Sequence, residues 1–495
     1  MLIDYFQLIT YTNMKLKYAS LIWILLVLSS FSSADDYLTL IWDYRIEVGE
    51  MSDVKVVDLN NDGTFEILAT PILTETPSVY LLNGNTGKPI WQYSDFSKGN
   101  IIKDTYVDDI DADGKQEIAV GSKSDKIKVI SNIGTLKWKY DQGKFVYGIY
   151  ANDLDTDGLK EIIVASLDQI YVLKKKDNTD KPPVMVWNYT LTGLGTLDSA
   201  SVYAKDINSD STAEIIALYK WHDDLGKYHG RVYALTNSGK LLWTYDIDDG
   251  ADIIKITDNS EILVGTRSNG VIALNPSGIK IWDYKITGEV RTIFAKDDVV
   301  LVGSTPYVYI LDKNGNLKSK SSTIDGTIYS LFSSDIDNDL SNEIIVGASK
   351  FIYVMDSNGN IKGKLDHGAQ IRGETLELES KGIDARAITS ADIDKKYPEE
   401  IVVGYGWVED VLDKNFYHGT ISVFSINPSA SVEKGSETTI SETTEKTETT
   451  IESKVSQEKE SEEKSSGLSS TRVIIIGVVL LIITGAVLLF RRKKK

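Results

Sequence analysis

Acidic side chains return along this chain in a fixed nine-residue arrangement. Asp58, Asn60, Asp62, Thr64 and Glu66 stand at positions 1, 3, 5, 7 and 9, with Gly63 at position 6 and the apolar run Ile67-Leu68-Ala69 directly behind. The spacing recurs as Asp109, Asp111, Asp113, Lys115 and Glu117, and as Asp153, Asp155, Asp157, Leu159 and Glu161. Two altered copies are Asp206, Asn208, Asp210, Thr212, Glu214 and Asp335, Asp337, Asp339, Ser341, Glu343; they carry Ser211 and Leu340 in place of the glycine. Side-chain oxygens at positions 1, 3 and 5 converge when the backbone curls. The carbonyl of position 7 adds another oxygen and a carboxylate at 9 closes the shell. Hard oxygen donors in this number suit Ca2+ better than Mg2+, which demands a strict octahedron and keeps more water.

A single such loop would read equally as a polar hairpin turn. Repetition with one acid spacing favours metal, and about three to five calcium ions are expected from the ligand count. The glycine permits the sharp turn, so the loops with Ser211 and Leu340 are expected to be strained or weaker. A sixth copy, Asp392, Asp394, Lys396 and Glu400, places a lysine at position 5 and is expected to hold no metal. The pattern is not an EF-hand, whose closing glutamate sits at position 12 between helices.

The segments that must hold these loops read as strands. Between acidic loops runs an apolar strand, an Asn-Gly or Thr-Gly turn, and a second strand ending Trp-x-Tyr, as at Trp91, Trp138, Trp187, Trp243 and Trp282. Such turns between alternating strands are hairpin signals. The unit repeats every 40–57 residues or so, the range of propeller blades. Six acidic loops and two shortened equivalents, near Asp258 and Asp297, make eight units. Trp42 and Tyr44 lie in a strand with no loop before it, and the last unit ends at Phe424 without its own Trp-x-Tyr strand. The predicted fold is therefore all-β: an eight-bladed β-propeller over 36–427, closed by an N-terminal strand, with seven blades as the alternative.

The acidic loops resemble the FG-GAP or VCBS repeats of integrin alpha-chain propellers and of many prokaryotic surface proteins. The Trp-x-Tyr strands resemble repeats of quinoprotein dehydrogenases and of the propeller lipoprotein of outer-membrane barrel assembly. The first resemblance implies calcium at loop positions 1, 3, 5, 7 and 9, which here carry the residues named above. The integrin-type family usually has Asp at position 9, where this chain has Glu.

The ends read differently. Residues 14–34 have the basic start, short apolar core and small-residue finish of a secretory signal. Residues 428–470 are rich in Ser, Thr, Glu and Lys and are expected to form a disordered stalk. Residues 472–490 are apolar enough for a single transmembrane helix, and the basic tail 491–495 is expected on the cytoplasmic side. A sorting signal removed after translocation is the alternative reading of that tail. Cysteine is absent and the formal net charge is −19, which argues against nucleic acid as a partner. The expectation is a single-pass cell-surface protein with its propeller outside.

Candidate ligand contacts lie on the face opposite the acidic loops. Trp221, His222, Tyr228 and His229 in one long hairpin resemble Trp407, Tyr417 and His418 in another, four repeats away. The crossover carrying Arg372, Glu374 and Glu377 lies near the second. Aromatics with acids and His on loops suit a glycan or a surface protein, although the tryptophans would equally pin long hairpins to the ring. The leading reading is adhesion or ligand binding. A polysaccharide lyase using the four histidines is the alternative, and a quinone-dependent dehydrogenase is disfavoured because no adjacent cysteine pair exists.

Overall fold

Behind each acidic loop the apolar run makes a strand buried on both faces. Glu117–Ser122, Glu161–Ser166 and Glu343–Ala348 are buried at every residue. The Trp-x-Tyr strands alternate instead, and Leu241–Ile247 exposes Leu241, Leu242, Thr244 and Asp246. Fully buried second strands and half-exposed fourth strands are what radial sheets produce when packed face to face round an axis. A computed structural model describes residues 37–427, apart from 47–48, 73–76, 142–143, 176–181, 367–380, 397 and 412–413. The expected signal, stalk, transmembrane segment and tail lie outside the described residues. Among the described residues no helix is long and apolar enough to cross a membrane.

There are eight four-stranded antiparallel sheets, seven of them built inner to outer in chain order. Blades 1 to 7 start with the inner strands Glu50–Val57, Ile102–Asp108, Val146–Asn152, Thr196–Lys205, Ala251–Ile256, Thr292–Lys296 and Ile328–Ser334. Blade 8 takes Lys381–Ala391, Glu400–Val411 and Lys414–Ile426, and its outer strand is Leu38–Ile46 from the other end of the chain. That closing strand pairs Leu38 with Ile426 and Ile46 with Gly419. Eight blades and N-terminal closure are thus as the repeats predict, and the seven-bladed alternative falls.

Eight apolar clusters hold the ring, each between two neighbouring blades. One joins the last blade to the first through Ile393, Val402 and Ile421 against Met51, Ile67 and Leu82. The tryptophans add a second tie. Trp42, Trp91, Trp187 and Trp243 donate their indole N–H to carbonyls of Gly84, Asn132, Asn237 and Pro276 in the next blade's hairpin, at 2.8–2.9 Å. The ring lies flat on that turn's glycine: a Cβ on Gly87, Gly134, Gly239, Gly278 or Gly315 would stand 2.4–2.7 Å from the indole. Trp-x-Tyr is therefore a blade-to-blade staple, and it requires glycine opposite.

Candidate metal sites

Each acidic loop joins the inner strand of a blade to its second strand, and one hydrogen-bond scaffold recurs in all five metal-type copies. The position 1 carboxylate clamps the turn, accepting from the N–H groups of positions 5 and 6. In blade 1 these bonds are Asp62 N to Asp58 Oδ1, 3.0 Å, and Gly63 N to Asp58 Oδ2, 2.8 Å. Asp109, Asp153, Asp206 and Asp335 repeat them. The position 5 carboxylate accepts from the N–H of position 7, at 2.7–3.0 Å for Thr64, Lys115, Leu159, Thr212 and Ser341. Position 7 joins this scaffold through its backbone N–H, and its side chain varies.

Ser211 and Leu340 take the glycine's left-handed conformation, with φ of 71° and 69°, and preserve the same bonds. The loops survive the substitution and carry its strain. Position 4 is left-handed as well, in Asn61, Ala112, Thr156, Ser209 and Asn338.

Glutamate at position 9 has two roles. Its Oε2 accepts the N–H of position 2, at 2.9–3.2 Å in Glu66, Glu117, Glu161, Glu214 and Glu343. Its Oε1 faces the loop centre in blades 2, 3 and 7, where lysine meets it. Burial raises the pKa of all five glutamates above the ordinary 4.5, and the backbone N–H or a lysine only partly offsets this. The longer side chain thus reaches back to the backbone and still presents one oxygen inward.

Ligand oxygens converge to within 4.8 Å of one another in three of these loops: Asp109, Asp111, Glu117; Asp153, Asp155, Glu161; and Asp335, Asp337, Asp339. The sixth loop, expected to be empty, brings together Asp392, Asp394 and Glu400 in the same way. Its Lys396 stays largely exposed and pairs with Asp394 at 3.3 Å from outside. Asp337 Oδ1 and Asp392 Oδ1 are buried and accept no hydrogen bond. Oxygens buried in that state, beside further carboxylates, fit a hard divalent cation. In blades 1 and 4 the amide stays within its loop: Asn60 donates to Asp62 and Asn208 to Asp210, both at 3.0 Å.

The loop sequence gives no sign of three lysines, Lys137 and Lys362 from outer strands and Lys174 from the end of a third strand. Lys137 reaches Asp111 at 2.6 Å, Glu117 at 2.8 Å and Asp113 at 3.2 Å. Lys362 reaches Asp337 and Glu343, both at 2.8 Å. Lys174 pairs with Asp155, with Asp157 at 2.7 Å and with Glu161 at 3.1 Å. Burial opposes each charge, yet the hydrogen bonds to acids outweigh it and hold all three pKa values above the ordinary 10.5. A signal did exist. Lys137 and Lys362 occupy the strand position held by Ile90 and Leu242 in blades 1 and 4. Among the described residues, the loops of blades 2, 3 and 7, with Asp at position 3, have a lysine paired to several of their acids. The loops with Asn60 or Asn208 have no such lysine, although Lys395 of blade 8 acts on Asp62 through its charge. Four carboxylates with one ammonium, or three carboxylates with an amide, leave the same formal −3.

On the opposite face, the long hairpin of blade 4 is built round Trp221. This side chain is 7% exposed and packs with Leu197 and Tyr219, so it is core and not a contact for an external ligand. Its ring stacks on His229 at 5.7 Å, and His229 Nε2 meets Asp223 Oδ2 at 3.1 Å. His222 Nδ1 meets Asp198 Oδ2 at 3.0 Å, while Tyr228 lies under Arg267 at 4.0 Å. His222, Tyr228 and His229 remain half-buried. In blade 8 Trp407 pairs across strands with His418, as Trp221 does with His229, and Tyr417 pairs with Val408. The side chains of Trp407 and Tyr417, and all of Arg372, Glu374 and Glu377, lie outside the described residues. His418 is half-buried.

Comparisons with known proteins follow these two patterns. An FG-GAP-like repeat matches residues 58–120, and the outer membrane protein assembly factor BamB matches residues 228–360. No curated protein matches the chain. Among solved structures, the Dos1 propeller is 11% identical with a TM-score of 0.51, covering 78% of this chain and 95% of that one. BamB from Moraxella catarrhalis is 13% identical with a TM-score of 0.46, covering 79% and 100%. The V. cholerae biofilm matrix protein Bap1 is 14% identical with a TM-score of 0.39, covering 77% of each. The chain is an eight-bladed β-propeller that carries an FG-GAP-like repeat at one side of the ring and BamB-like repeats at the other.

Proposed function

We propose that this protein is a calcium-stabilised, non-enzymatic propeller that binds a glycan or a protein ligand at a cell surface, in adhesion or recognition. One observation carries the reading: five loops, spread over blades 1, 2, 3, 4 and 7, keep one clamp geometry and aim carboxylates inward. Polar turns under no common demand would not keep an identical acid order over so many copies. With Ca2+ bound, Asp58, Asp62 and Glu66, and their counterparts in the other four loops, would supply the oxygens. The ion would add charge neutralisation to a thiol-free domain, and binding only the folded ring raises its stability. The signal, stalk and apolar segment read in the sequence would display the ring outside the membrane.

His222 and His229 each pair with a carboxylate beside their own hairpin, Asp198 and Asp223, and lyase activity is the alternative that this pairing leaves open. The test is calcium content and thermal stability with and without chelator, followed by a glycan and surface-protein binding screen of the calcium form. An unchanged melting temperature and no bound calcium would sink the metal reading. Unsaturated products from an acidic polysaccharide would replace recognition with lyase activity.

A further inference from the structure

The eight inner strands enclose a central channel of about 790 Å3. Cross-strand register identifies one layer of it. Lys55, Tyr106, Tyr150, Tyr203 and Lys255 are equivalent, each pairing with the second residue of the buried run behind its loop: Leu68, Ala119, Ile163, Ile216 and Leu263. Phe294 and Phe332 hold that register in blades 6 and 7, opposite Leu301 and Ile345. Two lysines therefore stand four blades apart, on opposite walls of an eight-fold ring, with Tyr106, Tyr150 and Tyr203 along one arc between them. On the other arc Phe294 and Phe332 pack against the clusters between blades, and blade 8 has Thr389. Tyr106 and Tyr150 lie 4.4 Å apart, Tyr150 and Tyr203 5.9 Å, and Phe294 and Phe332 5.4 Å.

Most cations of the channel wall are neutralised where they stand. Lys55 pairs with Asp53, Lys220 with Asp252, Arg291 with Glu289 at 2.8 Å, and Arg386 with Glu50 at 3.0 Å. Lys255 has no acid and no hydrogen-bond partner among the described residues. Water in the channel reaches its side chain, yet protein surrounds it, and that desolvation lowers its pKa. Burial lowers Lys55 too; Asp104 works against this, and Lys255 adds its own repulsion. Tyr203 Oη, in the adjacent blade, also has no hydrogen-bond partner among the described residues. An ammonium and a phenol without partners, in a cavity of ligand size walled by aromatic rings, want an anion with a flat apolar body.

We propose that the central channel binds a small organic anion, its acid group held by Lys255 and Tyr203 and its body lying along the tyrosine wall toward Lys55. The site shares no residue with the calcium loops, so its success or failure is separate from theirs.

The probe is benzene-1,4-dicarboxylate, titrated calorimetrically into the full-length protein at fixed calcium. Inorganic phosphate and the uncharged diamide of the same ring serve as comparisons. Saturable one-to-one binding is expected, with phosphate weaker and the diamide silent. Lys255→Gln should weaken binding about tenfold or more, the size of one charge-assisted hydrogen bond. Lys255→Arg should retain it, and keeps the test open if the first variant folds poorly. Absence of binding to the wild-type protein, or undiminished binding to folded Lys255→Gln, overturns the proposal. Phosphate binding as tightly as the dicarboxylate overturns the role given to the aromatic wall.

Discussion

Replacing Lys362 by Met separates the two cations that compete for the blade 7 loop. In the metal-free protein the Lys362 ammonium neutralises Glu343 and Asp337, whose side chains are 1% and 6% exposed. Removing it strands both carboxylates, which costs about 3 kcal/mol at the scale of broken buried pairs. Calcium, in contrast, gains. A doubly charged ion relieved of one positive neighbour about 4 Å away recovers roughly 2 kcal/mol even at the dielectric constant of water, or about 30-fold in affinity. Lys362 is 27% exposed, so the water value is a floor. Lys362→Met should therefore unfold at lower temperature under chelator, bind one calcium more tightly by calorimetry, and regain more melting temperature on calcium addition. Lys318→Met is the control. It changes the equivalent strand position in blade 6, where no acid loop faces it, and calcium affinity should not move. Unchanged or weaker calcium binding in Lys362→Met would refute competition at this loop.

Three shorter predictions follow from the same geometry. Gly278→Ala puts a Cβ 2.5 Å from the Trp243 indole at a φ of +77°, and should cost roughly 3 kcal/mol in denaturant unfolding. Leu340→Gly relieves the left-handed strain of a side chain that is 93% exposed, and should raise stability by up to about 1 kcal/mol with calcium binding retained. The melting-temperature increment from calcium should shrink as pH falls from 7 toward 4.5. Burial raises the pKa of the position 9 glutamates, so protonation favours the metal-free fold while removing the carboxylates that calcium needs. The position 5 aspartates Asp62, Asp113, Asp157 and Asp210 are held below the ordinary 3.8 and titrate beneath that window. A constant increment across it would contradict the assigned role of the glutamates.

Blade number and closure were legible because each repeat punctuates itself twice, with an acidic loop and a Trp-x-Tyr strand. The missing halves at the two ends then complement each other. The Leu38–Ile46 strand could be assigned to the final sheet before any contact was known. The purpose of the tryptophans was not legible, since Trp243 meets Pro276 and Gly278 only after neighbouring blades are set side by side. Trp221 was ambiguous for a related reason. An aromatic on a long hairpin reads in sequence either as a ligand platform or as a pin, and its packing with Leu197, its partner across the strands, and Tyr219 makes it the pin. The loop lysines sat between these cases. Lys137 and Lys362 break an apolar strand position exactly where Asp replaces Asn in their own loops, yet the link needs the register of the outer strand.

That pairing of lysine with aspartate divides the loops into two kinds when calcium leaves. In blades 2, 3 and 7 an ammonium already bridges the acids, so the clamp keeps a cation. In blades 1 and 4 no lysine among the described residues bridges the carboxylates: Asn60 donates to Asp62, Asn208 donates to Asp210 and Glu214, and Lys395 of blade 8 acts on Asp62 only through its charge. Repulsion there is relieved by opening the turn, which breaks the bonds from Asp62 and Gly63 to Asp58 and from Asp210 and Ser211 to Asp206. Chelation should thus speed amide exchange at Leu59, Asp62 and Gly63 and at Ile207, Asp210 and Ser211. Exchange at Ile110, Gly114, Ile336 and Leu340 should change much less. The contrast should vanish in Lys137→Met for blade 2 and in Lys362→Met for blade 7. Equal acceleration in all five loops of the wild-type protein would mean that lysine does not substitute for the ion, and that the matched charge of −3 has no bearing on how the ring tolerates losing its metal.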